Sequence, residues 1–155
     1  MQTVTECGEW LLRRRVLPQH TDHAGVMWHG TYLAWLEEAR VEALAEAGLA
    51  YSELSAQGLE LPVVSLAIDY RRALLHGDAV ELRSAVQPRQ GLKLPWCSRF
   101  YGPSGELAAS ARVELVLVCR PAREAGDGGP GAGRALRRWP PDLALAIERL
   151  QRGPG

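Results

Sequence analysis

Alternating and helically spaced apolar positions divide the first 120 residues into one long helix and a set of strands. Glu9 to Leu17 reads as a strand that Pro18 stops, with Arg13, Arg14 and Arg15 at a solvent- or ligand-facing edge. From Thr31 to Ala47, Tyr32, Trp35, Leu36, Ala39, Ala43 and Ala47 recur at helical spacing and form one apolar stripe. Glu38, Arg40, Glu42 and Glu46 fall largely off that stripe. The small Ala39, Ala43 and Ala47 let the helix lie close on a sheet, and Gly48 stands where a left-handed residue ends a helix. A polar link from Tyr51 to Glu60, with one helical turn, leads into four strands. Val63 to Arg72 puts Val64, Leu66, Ile68 and Tyr70 on one face. Ala79 to Val86 alternates through Val80, Leu82 and Val86 after a turn at His76-Gly77-Asp78. Leu92 to Tyr101 contains Pro95, which cannot donate to a ladder and predicts a bulge or an edge position. Gly102 to Gly105 predicts a hairpin into the longest strand, Glu106 to Arg120, with Leu107, Ala109, Ala111, Val113, Leu115 and Leu117 on one face.

Strand, long helix, then successive strands on short links is an α+β pattern with an antiparallel sheet. One helix across one such sheet leaves a face or an edge uncovered, so a second copy is expected to finish the burial. Beyond Arg120 the pattern changes. Pro121 to Gly133 is rich in Gly, Ala and Pro, and Ala125 to Gly133 reads as a mobile linker. Asp142 to Leu150 then predicts a short amphipathic helix, capped by Asp142, with Leu143, Ile147 and Leu150 inward and a frayed end at Gly153 to Gly155. The expected division is a domain over 1–120, followed by a Gly/Pro-rich linker and short helix over 121–155.

Composition narrows the function classes. A chain of 155 residues with 46% hydrophobic residues is about one globular domain. Lys+Arg and Asp+Glu both number 18, so no global field draws nucleic acid or an anionic membrane, and an anionic ligand must be met by local Arg and Lys clusters. The three cysteines, Cys7, Cys97 and Cys119, lack CxxC spacing and fit free thiols in a reducing cytosol. With no apolar run of membrane-spanning length and no signal-like start, a cytoplasmic protein is expected.

The chemistry concentrates in Thr21 to Arg40. Asp22 sits in a tight loop with Gly25, seven residues before backbone N–H groups that open the long helix at His29 and Gly30. A carboxylate can act on a carbonyl or on water, while helix N-terminal N–H groups receive the oxyanion. On the residues alone, a turn-forming Asp that bonds its own loop is the first reading of Asp22, ahead of the chemical one. Gly30 lets backbone approach a ligand, and His20 and His23 flank Asp22. Trp28, Trp35, Tyr32 and Met27 either line a flat pocket or belong to the core. Arg71-Arg72, Arg89 with Lys93, and Arg13 to Arg15 are the local cationic patches. Glu37 and Glu38 are set to pair with Arg40 or a strand-borne Arg, and Cys97 beside Trp96 reads as packing. No metal-ligand spacing, GxSxG, phosphate loop or dinucleotide fingerprint is present.

The run Asp22-x-x-Gly25-Val26-x-x-His29-Gly30-x-Tyr32-Leu33-x-x-x-Glu37-x-Ala39-Arg40, with Ile68-x-Tyr70-x-x-x-Ala73-x-x-x-Gly77-Asp78, resembles the 4-hydroxybenzoyl-CoA thioesterase family. The resemblance covers about residues 9–120. It implies a hotdog fold, an antiparallel sheet wrapped around a long central helix, and hydrolysis of a CoA thioester. Under it, Asp22 matches the catalytic aspartate, as nucleophile or general base, and the backbone N–H at His29 matches the oxyanion donor. Gly25, Val26, Trp28, Gly30, Tyr32, Arg71 and Arg72 are the expected substrate-binding positions. It further implies homodimers or homotetramers with sites at subunit interfaces, and no metal or redox cofactor. Two positions depart from many relatives: His20 stands where an acid is common, and Trp28 where Tyr is common. The competing readings are a non-catalytic acyl-CoA or acyl-carrier-protein binding module, and a hotdog dehydratase, whose Asp/His pair is not found in matching spacing.

Overall fold

The structure, a computed structural model, describes residues 8–120 and 133–154. Cys7, most of the expected linker and Gly155 lie outside the described residues. Strand β1 (Trp10–Arg15) is followed by a 3-10 turn at Pro18–His20 and by helix α1 (His29–Glu46). Helix α2 (Tyr51–Ala56), β2 (Leu59–Glu60), β3 (Val63–Tyr70), β4 (Ala79–Val86), β5 (Lys93–Tyr101) and β6 (Leu107–Val116) follow. Two short strands, β7 (Val118–Cys119) and β8 (Arg134–Ala135), precede helix α3 (Pro141–Arg152). Five strands form an antiparallel sheet in the order β1-β4-β5-β6-β3, and β2, β7 and β8 form a second, smaller one.

Strand alternation sorts the large sheet into an apolar inner face and a polar outer one. Leu12, Leu82, Phe100, Ala109 and Tyr70 stand opposite one another across all five strands. Tyr32 of α1 rests on that row, its ring edge-on to Phe100 at 4.9 Å and to Tyr70 at 5.0 Å. Trp35, Leu36, Ala39, Ala43 and Leu44 continue the buried stripe of α1. This is the expected hotdog arrangement, with the sheet laid around one long helix. The helix ends as its sequence requires: Gly48 has φ +101°, and the Leu49 N–H bonds the Leu44 carbonyl at 3.1 Å.

Helix α1 opens at His29, where its first N–H groups were expected, two residues before the Thr31 start of the helical spacing. Three expectations are corrected. Pro95 lies in a central strand with neither bulge nor edge: its carbonyl accepts the Gln87 N–H at 2.9 Å, so its nitrogen faces the side where β4 has just ended. The bulge falls instead between Phe100 and Tyr101. The single strand expected from Glu106 to Arg120 breaks at Leu117, because β3 begins only at Val63 and Val118–Cys119 pairs with β2 and β8. Asp142 does not cap α3. Pro140 holds the cap position and Pro141 begins the helix with a fixed φ and no N–H to satisfy, leaving Asp142 within the first turn.

Tyr32 yields a pH prediction. It is 2% exposed, and burial, helped by the neighbouring Tyr70, pushes its phenol up to about 12. An unfolded phenol titrates near 10. The proton preference of the folded state is therefore without effect below about pH 10, and stability is lost as pH rises from about 10 toward 12. Tyr32→Phe is expected to flatten that alkaline loss relative to the parent, read as denaturation midpoints in urea between about pH 9 and 11.5.

Candidate active site at the start of the long helix

The segment between β1 and α1 is a closed loop tied to its surroundings at several points. The Asp22 N–H bonds the Val26 carbonyl at 2.9 Å, and the Gly25 N–H bonds the Asp22 carbonyl at 3.1 Å. Asp22 Oδ1 accepts N–H bonds from Ala24 at 2.9 Å and Val26 at 3.1 Å. Gly25 makes this turn with φ +79°, a conformation other residues adopt at a cost. The loop is then fastened to the chain after β3: Met27 N–H to the Leu74 carbonyl at 2.8 Å, and His76 N–H to the Gly25 carbonyl at 3.0 Å. Asp22 is thus a turn-former, but through one oxygen only. Its Oδ2 has no hydrogen-bond partner among the described residues, and the residue is exposed.

The first turn of α1 is held beside this loop. Trp28 N–H and Thr31 Oγ1 both donate to the His20 carbonyl, at 3.2 and 3.0 Å. Thr31 is buried and was not singled out from the sequence; a hydroxyl two residues past a helix start was the available signal. No side chain among the described residues caps α1, so the N–H groups at His29 and Gly30 lie at the positive end of an 18-residue helix. His20 fills the position where an acid is common. Its Nδ1 accepts the Leu17 N–H at 3.0 Å and its ring lies edge-on to Trp35 at 5.2 Å.

Of the four residues considered for a flat pocket, Met27, Tyr32 and Trp35 are core, and only Trp28 is open, at 47% exposure. Trp28 is also edge-on to His29 at 5.0 Å and lies over Gly30, where a Cβ would collide with the indole. The space that Gly30 provides is therefore occupied by an aromatic ring bordering the helix N-terminus. Val26 is half-buried and bridges to Leu75.

Sheet register brings the other candidates to the same end of the molecule. Arg15 pairs with Ala79, Glu81 with Tyr101, Tyr101 with Leu107 and Tyr70 with Ala109, so β1, β3 and β5 finish where β4 and β6 begin. Arg71 and Arg72 follow β3 there, both N–H groups on the Ala108 carbonyl, at 2.8 and 3.0 Å. Both are exposed, and their guanidinium groups pair with no carboxylate among the described residues. Glu38 does not join the site: it pairs with Arg14, whose guanidinium it holds above the usual range. Glu37 is exposed and borders a cavity of about 50 Å³ with Arg40, which burial pulls below the usual guanidinium range. Cys97 faces the outer side of the sheet, half-buried, with Arg112 Nη1 3.9 Å from its sulfur, rather than packing in the core. No group of three His, Cys, Asp or Glu is placed to hold a metal among the described residues, and no helix there is long and apolar enough to cross a membrane.

Residues 16–147 match the family model described as the thioesterase-like superfamily. The chain belongs to that superfamily. An inferred esterase of Synechocystis sp. is 38% identical across 97% of this chain and 85% of its own length. An inferred acyl-CoA thioesterase of Bacillus subtilis is 31% identical over 63% of this chain and 71% of its own. Among solved structures, a DHNA-CoA thioesterase from Staphylococcus aureus superposes with a TM-score of 0.76 at 24% identity, covering 92% of this chain and 91% of that one. This likeness shows the shared hotdog fold. The superfamily match runs through Asp22, the N-terminus of α1 and the Arg71-Arg72 segment, and on into α3.

Proposed function

We propose that this thioester hydrolase cleaves CoA thioesters in the cytoplasm, with Asp22 as general base and the N–H groups at His29 and Gly30 as oxyanion site. The observation that carries the reading is a carboxylate oxygen without a hydrogen-bond partner among the described residues, on a closed loop that leads into a helix N-terminus uncapped by any of them. Water gives its proton to Asp22 Oδ2 as its oxygen attacks the thioester carbon. The carbonyl electron pair moves onto oxygen and meets the helix N–H groups, and collapse of the tetrahedral species expels the CoA thiolate. A thiolate leaves without strong protonation, so no second acid is required. Arg71 and Arg72 meet the CoA phosphates. Trp28 receives a flat acyl group, which favours an aryl-CoA such as a hydroxybenzoyl or dihydroxynaphthoyl thioester and keeps the 4-hydroxybenzoyl-CoA resemblance in play.

Release of free thiol from matched panels of aryl- and alkyl-CoA thioesters tests this reading. Turnover of the aryl members is the expected result. Tight CoA-ester binding without turnover of any member would favour the non-catalytic binding module instead.

We infer further that the protein works as a homodimer or homotetramer built through β3. This strand is one edge of the sheet; its inward-facing Leu66 and Tyr70 are 42% and 54% exposed and Val64, at a register shift, is 50% exposed, an apolar strip beside unpaired backbone groups. Light scattering on the parent is expected to give a multiple of 17.0 kDa. Leu66→Asp is expected to shift the mass to that of a single chain. A parent that already runs as a single chain would end this part of the proposal.

A further inference from the structure

The end of the chain builds a second cavity, far from Asp22. Pro88 and Arg89, which follow β4, and Arg137, Arg138 and Trp139, which precede α3, border an open pocket of about 490 Å³ against one face of α3. That volume falls in the range of small-molecule sites, about 300–1,000 Å³. Trp139, Ala144 and Ile147 supply its apolar lining, and three arginines line it with them. Arg89 is fixed in place: its Cζ lies 4.6 Å from the centroid of the Trp139 ring, and its Nη2 donates to the Arg137 carbonyl at 3.1 Å. None of Arg89, Arg137 and Arg138 pairs with a carboxylate among the described residues. The Trp139 indole N–H, closed off from solvent, has no acceptor among them either.

The chemistry of this set is specific. The whole chain carries no net charge, so three guanidinium groups around one cavity do not follow from a basic composition. Gathered without carboxylates, they favour an anion held by paired N–H bonds, the geometry in which Arg receives phosphate. An indole under a guanidinium offers flat surfaces to a planar ring. The cavity also lies outside the Asp22 site of its own chain. Strand β4 leaves the Asp22 end, where the Asp78 carbonyl accepts the Val16 N–H, and delivers Pro88 eight strand residues later, a span of about 27 Å.

We propose that this cavity is a second binding site, for a phosphate ester with a planar apolar body, of the nucleotide class. The proposal does not rest on the thioesterase chemistry at Asp22. An adenine nucleotide can come from two sources, the free nucleotide or the bisphosphorylated adenosine half of CoA.

The test is calorimetric titration of the full chain with ADP, adenosine 3′,5′-bisphosphate and inorganic phosphate. Saturable nucleotide binding, about tenfold or more tighter than phosphate, is expected. Tighter ADP would identify free nucleotide as the ligand, and tighter adenosine 3′,5′-bisphosphate would identify CoA. The double variant Arg89→Gln/Arg138→Gln is expected to weaken nucleotide binding at least about tenfold, since it removes two charge-assisted hydrogen-bond donors. Both residues are exposed, so its melting temperature and its thioester turnover at saturating substrate are expected to match the parent. Trp139→Phe keeps a ring, removes the N–H, and is expected to weaken binding less. Three results would overturn the proposal: no saturable binding of any probe, phosphate bound as tightly as nucleotide, or nucleotide binding lost in Arg71→Gln/Arg72→Gln and intact in Arg89→Gln/Arg138→Gln.

Discussion

Replacing Asp22 with Asn is expected to lower kcat for the preferred thioester by about 10²–10⁴-fold, with the fold unchanged. The expectation rests on the unequal duties of the two carboxylate oxygens. Oδ1 closes the loop by accepting the Ala24 and Val26 N–H groups, and an Asn side-chain oxygen can accept the same two bonds. Oδ2 carries no loop bond, and at that atom Asn replaces a proton acceptor with an NH₂ donor. The variant therefore separates the structural duty from the chemical one. KM is expected to change little and the melting temperature to stay with the parent. Asp22→Ala should differ by losing the loop bonds as well, which unsettles Gly25, Val26 and the start of α1. If Asp22→Asn turns substrate over at the parent rate, the chemical assignment fails while the loop description stands.

The size of the expected loss also says how the work is divided. A general base contributing about 10²–10⁴-fold lowers the barrier by about 3–5 kcal/mol. A preorganised oxyanion donor is of similar size, about 3–4 kcal/mol. Two such effects on an already reactive ester make a complete, if modest, catalyst. They need no nucleophilic serine or cysteine, and Cys97 is on the opposite face of the sheet. The helix N-terminus has no side chain to delete, so the carboxylate is the part of this pair open to a clean substitution.

Much of this arrangement was legible in the sequence where a single physical rule governs. Helical spacing from Tyr32 to Ala47 gave the buried stripe of α1. Alternation in Val80-Leu82 and Val113-Leu115 gave the inner sheet face, and Gly48 gave the end of the helix. Where a partner decides, the residues alone did not suffice. Pro95 looked like an edge residue because its missing N–H is costly beside a neighbour, and the harmless side became visible only once β4 was seen to end at Val86. The Val118-Cys119 pair continued an alternating run, yet its sheet depends on where β3 starts. At the site, Gly30 by itself signals room for a ligand, whereas the indole of Trp28 takes that room, a contact between residues two apart that no periodicity encodes. Tyr32 carried both a pocket and a core reading, and only the rings of Tyr70 and Phe100 decide for the core.

Leu150→Ala is expected to destabilise the protein by about 2–5 kcal/mol, although position 150 lies far beyond the segment that carries the chemistry. Leu150 is fully buried, together with Leu143, Ala146 and Ile147 on the same face of α3. Its carbonyl accepts the buried Trp10 indole N–H at 2.8 Å, so the first strand and the last helix are joined at this point. One turn before the helix end, Arg149 Nη1 donates to the Ala47 carbonyl at 3.2 Å, tying α3 to the end of α1. Truncation to Ala leaves a cavity beneath these links, and the rigid sheet on one side limits how far the site can collapse. For a domain of this size the loss corresponds to a fall in Tm of about 4–20 °C. Leu145 supplies the control: it sits on the same helix but is 47% exposed, so Leu145→Ala should change Tm by far less. Equal, small shifts for both variants would mean that α3 docks without supporting the core. A large shift confined to Leu150→Ala would mean that the helix helps hold β1, and with it the entry to the Asp22 loop, in place.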